Sequence, residues 1–137
     1  MRHVLAALLL LSLATPAFAG PYLFELLEIE GYRKGFSAML AREQNLPAWV
    51  KSFAKTMNGV AFPSEDITVD GALDVYAGVC KPHDCGGNTL YVIFANGGDP
   101  AWGLLEETGA DNVTRTRLLG HPDEAMADAL TAKAAGN

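Results

Sequence analysis

The amino-acid sequence predicts an α+β domain, in which helices at both ends of the chain flank a central antiparallel sheet of about five strands. Three observations support this class. Apolar residues recur at helical spacing near the start of the chain and again at its end, and between these segments the apolar period changes to two. Short turns rich in glycine, asparagine and aspartate separate the segments of period two, as expected of strands that run up and down.

The first nineteen residues have the pattern of a secretory signal peptide. A basic start at Arg2 and His3 precedes an apolar run over residues 4–11, and small residues lead up to Ala19. A membrane anchor is the alternative, but the apolar run is far shorter than the roughly 18 to 20 residues that cross a bilayer. We therefore expect cleavage after Ala19 and a periplasmic location.

Residues 20–137 form a chain of 118 residues, a length that suits one compact domain. Removal of Arg2 with the signal peptide changes the formal net charge from -6 to -7, because all sixteen acidic residues lie in the mature part. Such a chain lacks the basic footprint that nucleic-acid binding requires, whereas a basic protein partner would be attracted to it at long range. Acidity that serves only solubility is the alternative, and composition does not separate the two.

The first helical segment extends from Tyr22 to Arg42. Its apolar residues group at helical spacing on either side of Gly31, so that one bent helix or two short helices would satisfy the pattern. Pro47 ends this pattern and can open a further short helical turn. Trp49, two residues later, is expected to anchor the core. The apolar residues of the first segment are Leu23, Leu26, Leu27, Tyr32, Phe36, Met39 and Leu40.

The period of two begins after Pro63. Asp70-Gly71 then separates two alternating runs and predicts a hairpin, since this pair tolerates the positive φ angles of a tight turn. Three later segments complete the sheet in up-and-down order, at residues 89–95, 102–108 and 113–119. The residues of the second run that are expected to share one face are Leu73, Val75, Ala77 and Val79.

Helical spacing returns between Pro122 and Ala134. Pro122 suits a first helical turn, and Asp123 and Glu124 lie near the positive end of the helix dipole. Helices at both ends of the chain can then cover the faces of the sheet. The buried stripe predicted for this last helix comprises Ala125, Met126, Ala129 and Leu130.

One segment carries recognisable chemistry, the loop Cys80-Lys81-Pro82-His83-Asp84-Cys85 between the second and third predicted strands. In an oxidising compartment the two cysteines of the mature chain are expected to form a disulfide. An extended chain would hold their Cα atoms roughly 17 Å apart, whereas a disulfide requires about 7 Å or less. The bond therefore predicts a tight protruding turn, with residues 81–84 exposed and rigid.

Two kinds of chemistry are disfavoured for this loop. Thioredoxin-like redox centres use Cys-X-X-Cys, whereas four residues separate Cys80 from Cys85. A disulfide leaves no free thiolate for a metal and His121 lies far along the chain, so no metal or other cofactor is expected. No serine or cysteine nucleophile is spaced with a base and an orienting acid, so we expect no catalysis by this chain.

An inert capped hairpin and an inhibitory wedge remain, and the residues alone rank them equally. In the wedge, His83 on a stiff tip would lie between two carboxyl groups, because both nitrogens of an imidazole can take part in hydrogen bonds. Glycosidases hold such a pair of carboxyl groups roughly 5 to 10 Å apart across an open cleft.

The loop from Cys80 to Cys85 resembles that of the inhibitor of vertebrate lysozyme (Ivy) family and matches the family pattern at all six positions. Supporting similarity surrounds the loop and extends over residues 21–95. The matching segments are residues 22–27, Lys34-Gly35-Phe36, residues 46–50 and the strand end Gly78-Val79.

This resemblance implies a central antiparallel sheet flanked by helices and a loop that enters the active-site cleft of a C-type lysozyme. There the histidine hydrogen-bonds to the catalytic acid and its partner carboxylate, which makes His83 the key inhibitory residue. Lys81, Pro82 and Asp84 would shape the tip, and the Cys80–Cys85 disulfide would lock it. The family also implies self-association as a homodimer, and the strong basicity of C-type lysozymes would account for the acidity of this chain.

Two alternatives to lysozyme inhibition remain from the sequence. One is a regulator of the cell's own lytic transglycosylases, whose single catalytic acid His83 could engage. The other is a structural or ligand-carrying envelope protein that has no enzyme target.

Overall fold

The computed structural model describes residues 19–136 as five strands and four helices. The predicted signal peptide lies outside the described residues except for Ala19. The strands are β1 (Val60–Val69), β2 (Ala72–Cys80), β3 (Asn88–Phe94), β4 (Ala101–Thr108) and β5 (Thr114–Leu119). The helices are α1 (Leu23–Leu26), α2 (Glu30–Ala41), α3 (Ala48–Thr56) and α4 (Glu124–Ala134). No helix within residues 19–136 is both long enough and apolar enough to span a membrane.

The described strands form one antiparallel sheet in the order β1-β2-β3-β4-β5, which confirms the up-and-down order and the α+β class. The β1–β2 turn confirms the predicted hairpin, because Val69 pairs with Ala72 and leaves a two-residue loop. Asp70 and Gly71 in this loop have φ angles of +48° and +81°. Positive φ at both central residues is the requirement of a type I′ turn, whose twist matches that of the flanking strands.

Two apolar clusters lie on opposite faces of the sheet. α1, α2 and α3 cover one face, where the rings of Phe36 and Phe53 meet edge to face with centroids 6.2 Å apart. α4 covers the other face through residues such as Leu130. Successive residues of β3, Val92 and Ile93, are both fully buried but belong to different clusters. The sheet is therefore the middle layer of a three-layer domain, in which each large buried apolar side chain contributes about 1.5 to 3 kcal/mol.

The helix boundaries refine the predictions. α1 and α2 are separate helices, which is one of the two arrangements that the pattern allowed. Pro47 is the N-cap of α3, which continues well beyond a short turn, and Trp49 packs against the apolar cluster beneath the helices, as predicted. Pro122 lies before α4 instead of in its first turn, because Asp123 is the N-cap and accepts a hydrogen bond from Met126 N–H at 2.9 Å.

Three positions depart from the predicted strand and burial patterns. β1 begins before Pro63, whose missing N–H is tolerated because β1 is an edge strand and its register shifts between Phe62 and Glu65. Leu73 is 57% exposed because it lies beside the hairpin turn and not under the helices. Ala125 is also exposed, so the buried stripe of α4 is narrower than predicted.

Candidate functional site

The loop from Cys80 to Cys85 connects β2 to β3 at one end of the sheet. Cys80 is the last residue of β2 and is buried, whereas Cys85 is exposed. The two residues form a disulfide with their Cα atoms 5.0 Å apart, which confirms the predicted bond. Lys81 N–H donates to Asn88 O at 2.9 Å and extends the β2–β3 pairing by one residue pair, so the strands also close the base of the loop.

Pro82 and His83 occupy the two central positions of a turn, in which Asp84 N–H donates to Lys81 O at 3.0 Å. The ring of Pro82 fixes its own φ, and His83 has a φ of +63°. A residue other than glycine in this left-handed region costs on the order of 1 to 2 kcal/mol, so the closed loop has to hold the conformation. The turn therefore presents an exposed imidazole from a constrained backbone.

Asp84 joins the two sides of the loop. Its Oδ2 accepts a hydrogen bond from Lys81 Nζ at 2.8 Å and another from Asn88 Nδ2 at 3.2 Å. The hydrogen bond and the positive charge of Lys81 lower the pKa of the Asp84 carboxyl, and the hydrogen bond from Asn88 lowers it further. Because the carboxylate and the ammonium group compensate each other, the backbone turn that carries His83 has little net charge of its own.

Hydrogen bonds from three strands anchor the segment that follows the disulfide. Thr89 Oγ1 donates to Cys85 O at 3.3 Å, and Thr108 Oγ1 donates to Gly87 O at 3.1 Å. The hydroxyl of Thr114 in β5 lies 2.8 Å from that of Thr108 and completes the chain of hydrogen bonds. Gly87 has a φ of +87°, and a β-carbon there would lie 2.2 Å from Thr108 Oγ1, so this close approach requires glycine.

Exposure increases toward the second half of the turn. His83 and Asp84 are exposed, whereas Lys81 and Pro82 are half-buried. The prediction that all four residues are exposed is therefore right for two of them. Lys81 loses exposure because its main chain continues the strand pairing and its side chain folds back onto Asp84.

Two exposed valines flank the loop at the same end of the sheet. Val60 begins β1 opposite Cys80 and is 50% exposed, and Val113 lies in the β4–β5 turn and is 48% exposed. A single exposed valine needs no explanation. Together with the half-buried Pro82, however, this pair provides apolar contact surface on both sides of the loop.

The structure brings no second chemical group to His83 from the other candidate residues. His121 follows β5 at the opposite end of the sheet, in agreement with its distance along the chain. Within residues 19–136, no group of three or more His, Cys, Asp or Glu side chains is arranged to hold a metal ion.

Sequence reasoning did not identify the residues that support the loop. Asn88, Thr89 and Thr108 occupy strand positions that nothing distinguishes from ordinary strand residues in the amino-acid pattern. Their common property is that each is a polar residue at or near the end of a strand. The buried side chains of Asn88 and Thr89 require a partner there.

A family model described as inhibitor of vertebrate lysozyme (Ivy) matches residues 31–136. This chain belongs to the Ivy family. A curated relative named "Inhibitor of vertebrate lysozyme", from Pseudomonas aeruginosa, is 40% identical over 84 residues, which are 61% of this chain and 52% of that protein. An uncharacterized protein from Yersinia pestis is 32% identical over 126 residues, which are 86% of this chain and 79% of that protein.

The family match confirms the resemblance to the Ivy family that the sequence showed, and it extends this resemblance toward the C-terminus. The resemblance reached residue 95, whereas the family model continues through β4, β5 and α4 to residue 136. The hydroxyl groups of Thr108 and Thr114 that anchor the loop therefore lie within the family match. The alignment with the relative from Pseudomonas aeruginosa spans about half the length of that protein.

Proposed function

We propose that this chain is an exported, periplasmic inhibitor of C-type lysozyme that inserts the loop from Cys80 to Cys85 into the active-site cleft of the enzyme. The observation that carries the proposal is the exposed imidazole of His83 on a turn closed by the disulfide. Ivy membership and the name of the relative from Pseudomonas aeruginosa support lysozyme as the target. The signal-peptide pattern of residues 1–19 supports export.

An imidazole suits a catalytic site that contains two carboxyl groups, because both of its ring nitrogens can take part in hydrogen bonds. In the proposed complex, His83 hydrogen-bonds to the catalytic acid and to its partner carboxylate, and the loop fills the space of the sugar. Lys81 is already paired with Asp84. These two side chains therefore shape the tip and do not compete with His83 for the carboxyl groups.

The closed loop also lowers the cost of binding. Ordering a flexible side chain at an interface costs about 0.5 to 1.5 kcal/mol, and a loop held in its bound shape avoids much of this cost. Here the disulfide, the Asp84 hydrogen bonds and the contact between Gly87 and Thr108 all hold the loop before any partner arrives.

The net charge of the chain favours a basic partner. The mature chain has a formal net charge of -7, which would accelerate association with a basic protein more than it would strengthen the final complex. Val60 and Val113 add apolar surface beside the loop. Such surface suits the core of an interface, which is typically depleted of charged residues.

The proposal is tested by measuring inhibition of a C-type lysozyme by the purified protein and by His83→Ala. Loss of a central interface anchor is expected to weaken inhibition by on the order of 2 kcal/mol or more, which is about 30-fold. His121→Ala is the matched control, because His121 is also exposed and also has a positive φ, +54°, but lies at the opposite end of the sheet. Equal inhibition by His83→Ala and the unaltered protein would remove the proposed role of His83.

A lytic transglycosylase assayed in parallel distinguishes the alternative targets. Inhibition of that enzyme alone would favour regulation of the cell's own peptidoglycan-cleaving enzymes, and inhibition of neither would favour a structural or ligand-carrying role. The homodimer implied by the family resemblance stays a prediction, which sedimentation of the same purified sample would check.

A further inference from the structure

A cavity of about 280 Å³ lies at the end of the sheet opposite the Cys80–Cys85 loop, between the β1–β2 turn and the start of α4. Three carboxylic acids line it: Asp70 in the turn, Asp74 in β2 and Asp123 at the N-cap of α4. No basic side chain of residues 19–136 contributes to its wall. The cavity therefore has a negative potential and disfavours anions.

Asp74 is the member of this group that the fold does not explain. It is only 4% exposed, and its carboxyl has no hydrogen-bond or ion-pair partner among residues 19–136. Burial raises the pKa of the Asp74 carboxyl, as expected of a charge without a partner. Asp123, by contrast, caps α4 through its hydrogen bond from Met126 N–H. A largely buried carboxylate without a partner is costly to a fold, so its place in the wall of a cavity points to a ligand.

The rest of the wall is apolar and determines the kind of cation that fits. Trp102 from β4, Met126 from α4 and Val69 from β1 line the cavity beside the carboxyl groups. Small hard metal ions require several converging oxygen ligands, and no three acidic side chains of the described residues are arranged in that way. An organic cation fits both the acidic and the apolar part of the wall. Carboxylates and indole faces attract ammonium groups, and apolar side chains accommodate an alkyl stem.

We propose that this cavity binds a small aliphatic amine, whose ammonium group pairs with Asp74 and whose alkyl stem packs against Trp102. The site is separate from the inhibitory loop, because the seven residues of β2 from Asp74 to Cys80 extend over roughly 20 Å. The volume suits a short amine, since it lies just below the range of about 300 to 1,000 Å³ for small-molecule sites.

The probe is n-butylammonium chloride, titrated into the ¹⁵N-labelled protein while the indole N–H resonance of Trp102 is followed. Trp102→Phe identifies this resonance, because Trp49 is the other tryptophan of the chain. 1-Butanol is the neutral analogue, and sodium chloride controls for ionic strength. The proposal expects a saturable shift with n-butylammonium, and it is overturned if no saturable shift occurs or if 1-butanol binds equally well.

Substitutions of single carboxyl groups locate the binding site. Asp74→Asn is expected to weaken n-butylammonium binding by at least about ten-fold, because it removes a charge-assisted hydrogen bond. Asp70→Asn should cause a smaller loss and keeps the hairpin intact, since asparagine tolerates the positive φ of this turn. Asp128→Asn is the matched control, because Asp128 is exposed on α4 and lies outside the cavity wall. Binding that is unchanged in Asp74→Asn, or weakened equally in Asp128→Asn, would overturn the proposal.

Discussion

Gly87→Ala tests whether the loop depends on the close contact between β4 and the segment that follows the disulfide. An alanine at the observed φ of +87° costs about 1 to 2 kcal/mol. Its β-carbon would lie 2.2 Å from Thr108 Oγ1, so Thr108 has to move and lose its hydrogen bond to Gly87 O, worth about 0.5 to 1.5 kcal/mol. The free energy of unfolding should therefore fall by roughly 2 to 3 kcal/mol. Inhibition should weaken as well, because the base of the loop shifts.

The adjacent Gly86 provides the matched control for this experiment. A β-carbon at Gly86 would meet no atom within 4 Å, and its φ lies outside the left-handed region. Gly86→Ala should therefore leave the free energy of unfolding unchanged or raise it by about 0.4 to 1 kcal/mol. Urea denaturation of both variants and of the unaltered protein measures the difference. Equal free energies of unfolding for Gly86→Ala and Gly87→Ala would refute the contribution assigned to the contact with Thr108.

Two further predictions concern the closure of the loop. The lowered pKa of Asp84 means that its stabilising contribution is present at neutral pH and is lost as the pH falls through the folded-state pKa. NMR titration should show the pKa of Asp84 rising toward its usual value of 3.8 in Lys81→Met. Arg115→Met is the control, because it removes a separate ion pair and should leave the pKa of Asp84 unchanged. An unshifted pKa of Asp84 in Lys81→Met would contradict the pairing. Replacement of both Cys80 and Cys85 by serine should lower the free energy of unfolding by about 2 kcal/mol in urea denaturation. It should also weaken inhibition, and inhibition at full strength would exclude a role for preorganisation.

The order of strands and the main turns are predictable because their causes are local. Asp70-Gly71 specifies its turn through the φ angles of its own two residues. The disulfide is also predictable from the sequence, since Cys80 and Cys85 are the two cysteines of the mature chain and can pair only with each other. The family resemblance, carried by the same short loop, is confirmed by a match that continues far beyond it.

The features that sequence reasoning missed arise from contacts between distant segments. Alternation along β2 places Asp74 and Val75 on opposite faces of the sheet, but the cavity that Asp74 lines is completed by residues of α4, about fifty positions later. The pairing of Gly87 with Thr108 likewise joins residues that are 21 positions apart. Neither contact leaves a periodic trace in the chain, because periodicity reports which face a residue occupies and not what covers that face.

The net charge of the chain and the chemistry of the loop act over different distances in the proposed inhibition. Screening limits the attraction between separated charges to about 8 to 10 Å at physiological ionic strength, so a formal charge of -7 acts mainly during approach. At contact the relevant groups are those of the tip, where Lys81 and Asp84 are paired with each other. The composition alone does not distinguish acidity for solubility from acidity for steering. The internal pairing in the tip makes the proposed role of His83 independent of this choice. It leaves the imidazole available for the proposed recognition whether the remaining acidic residues serve solubility or steering.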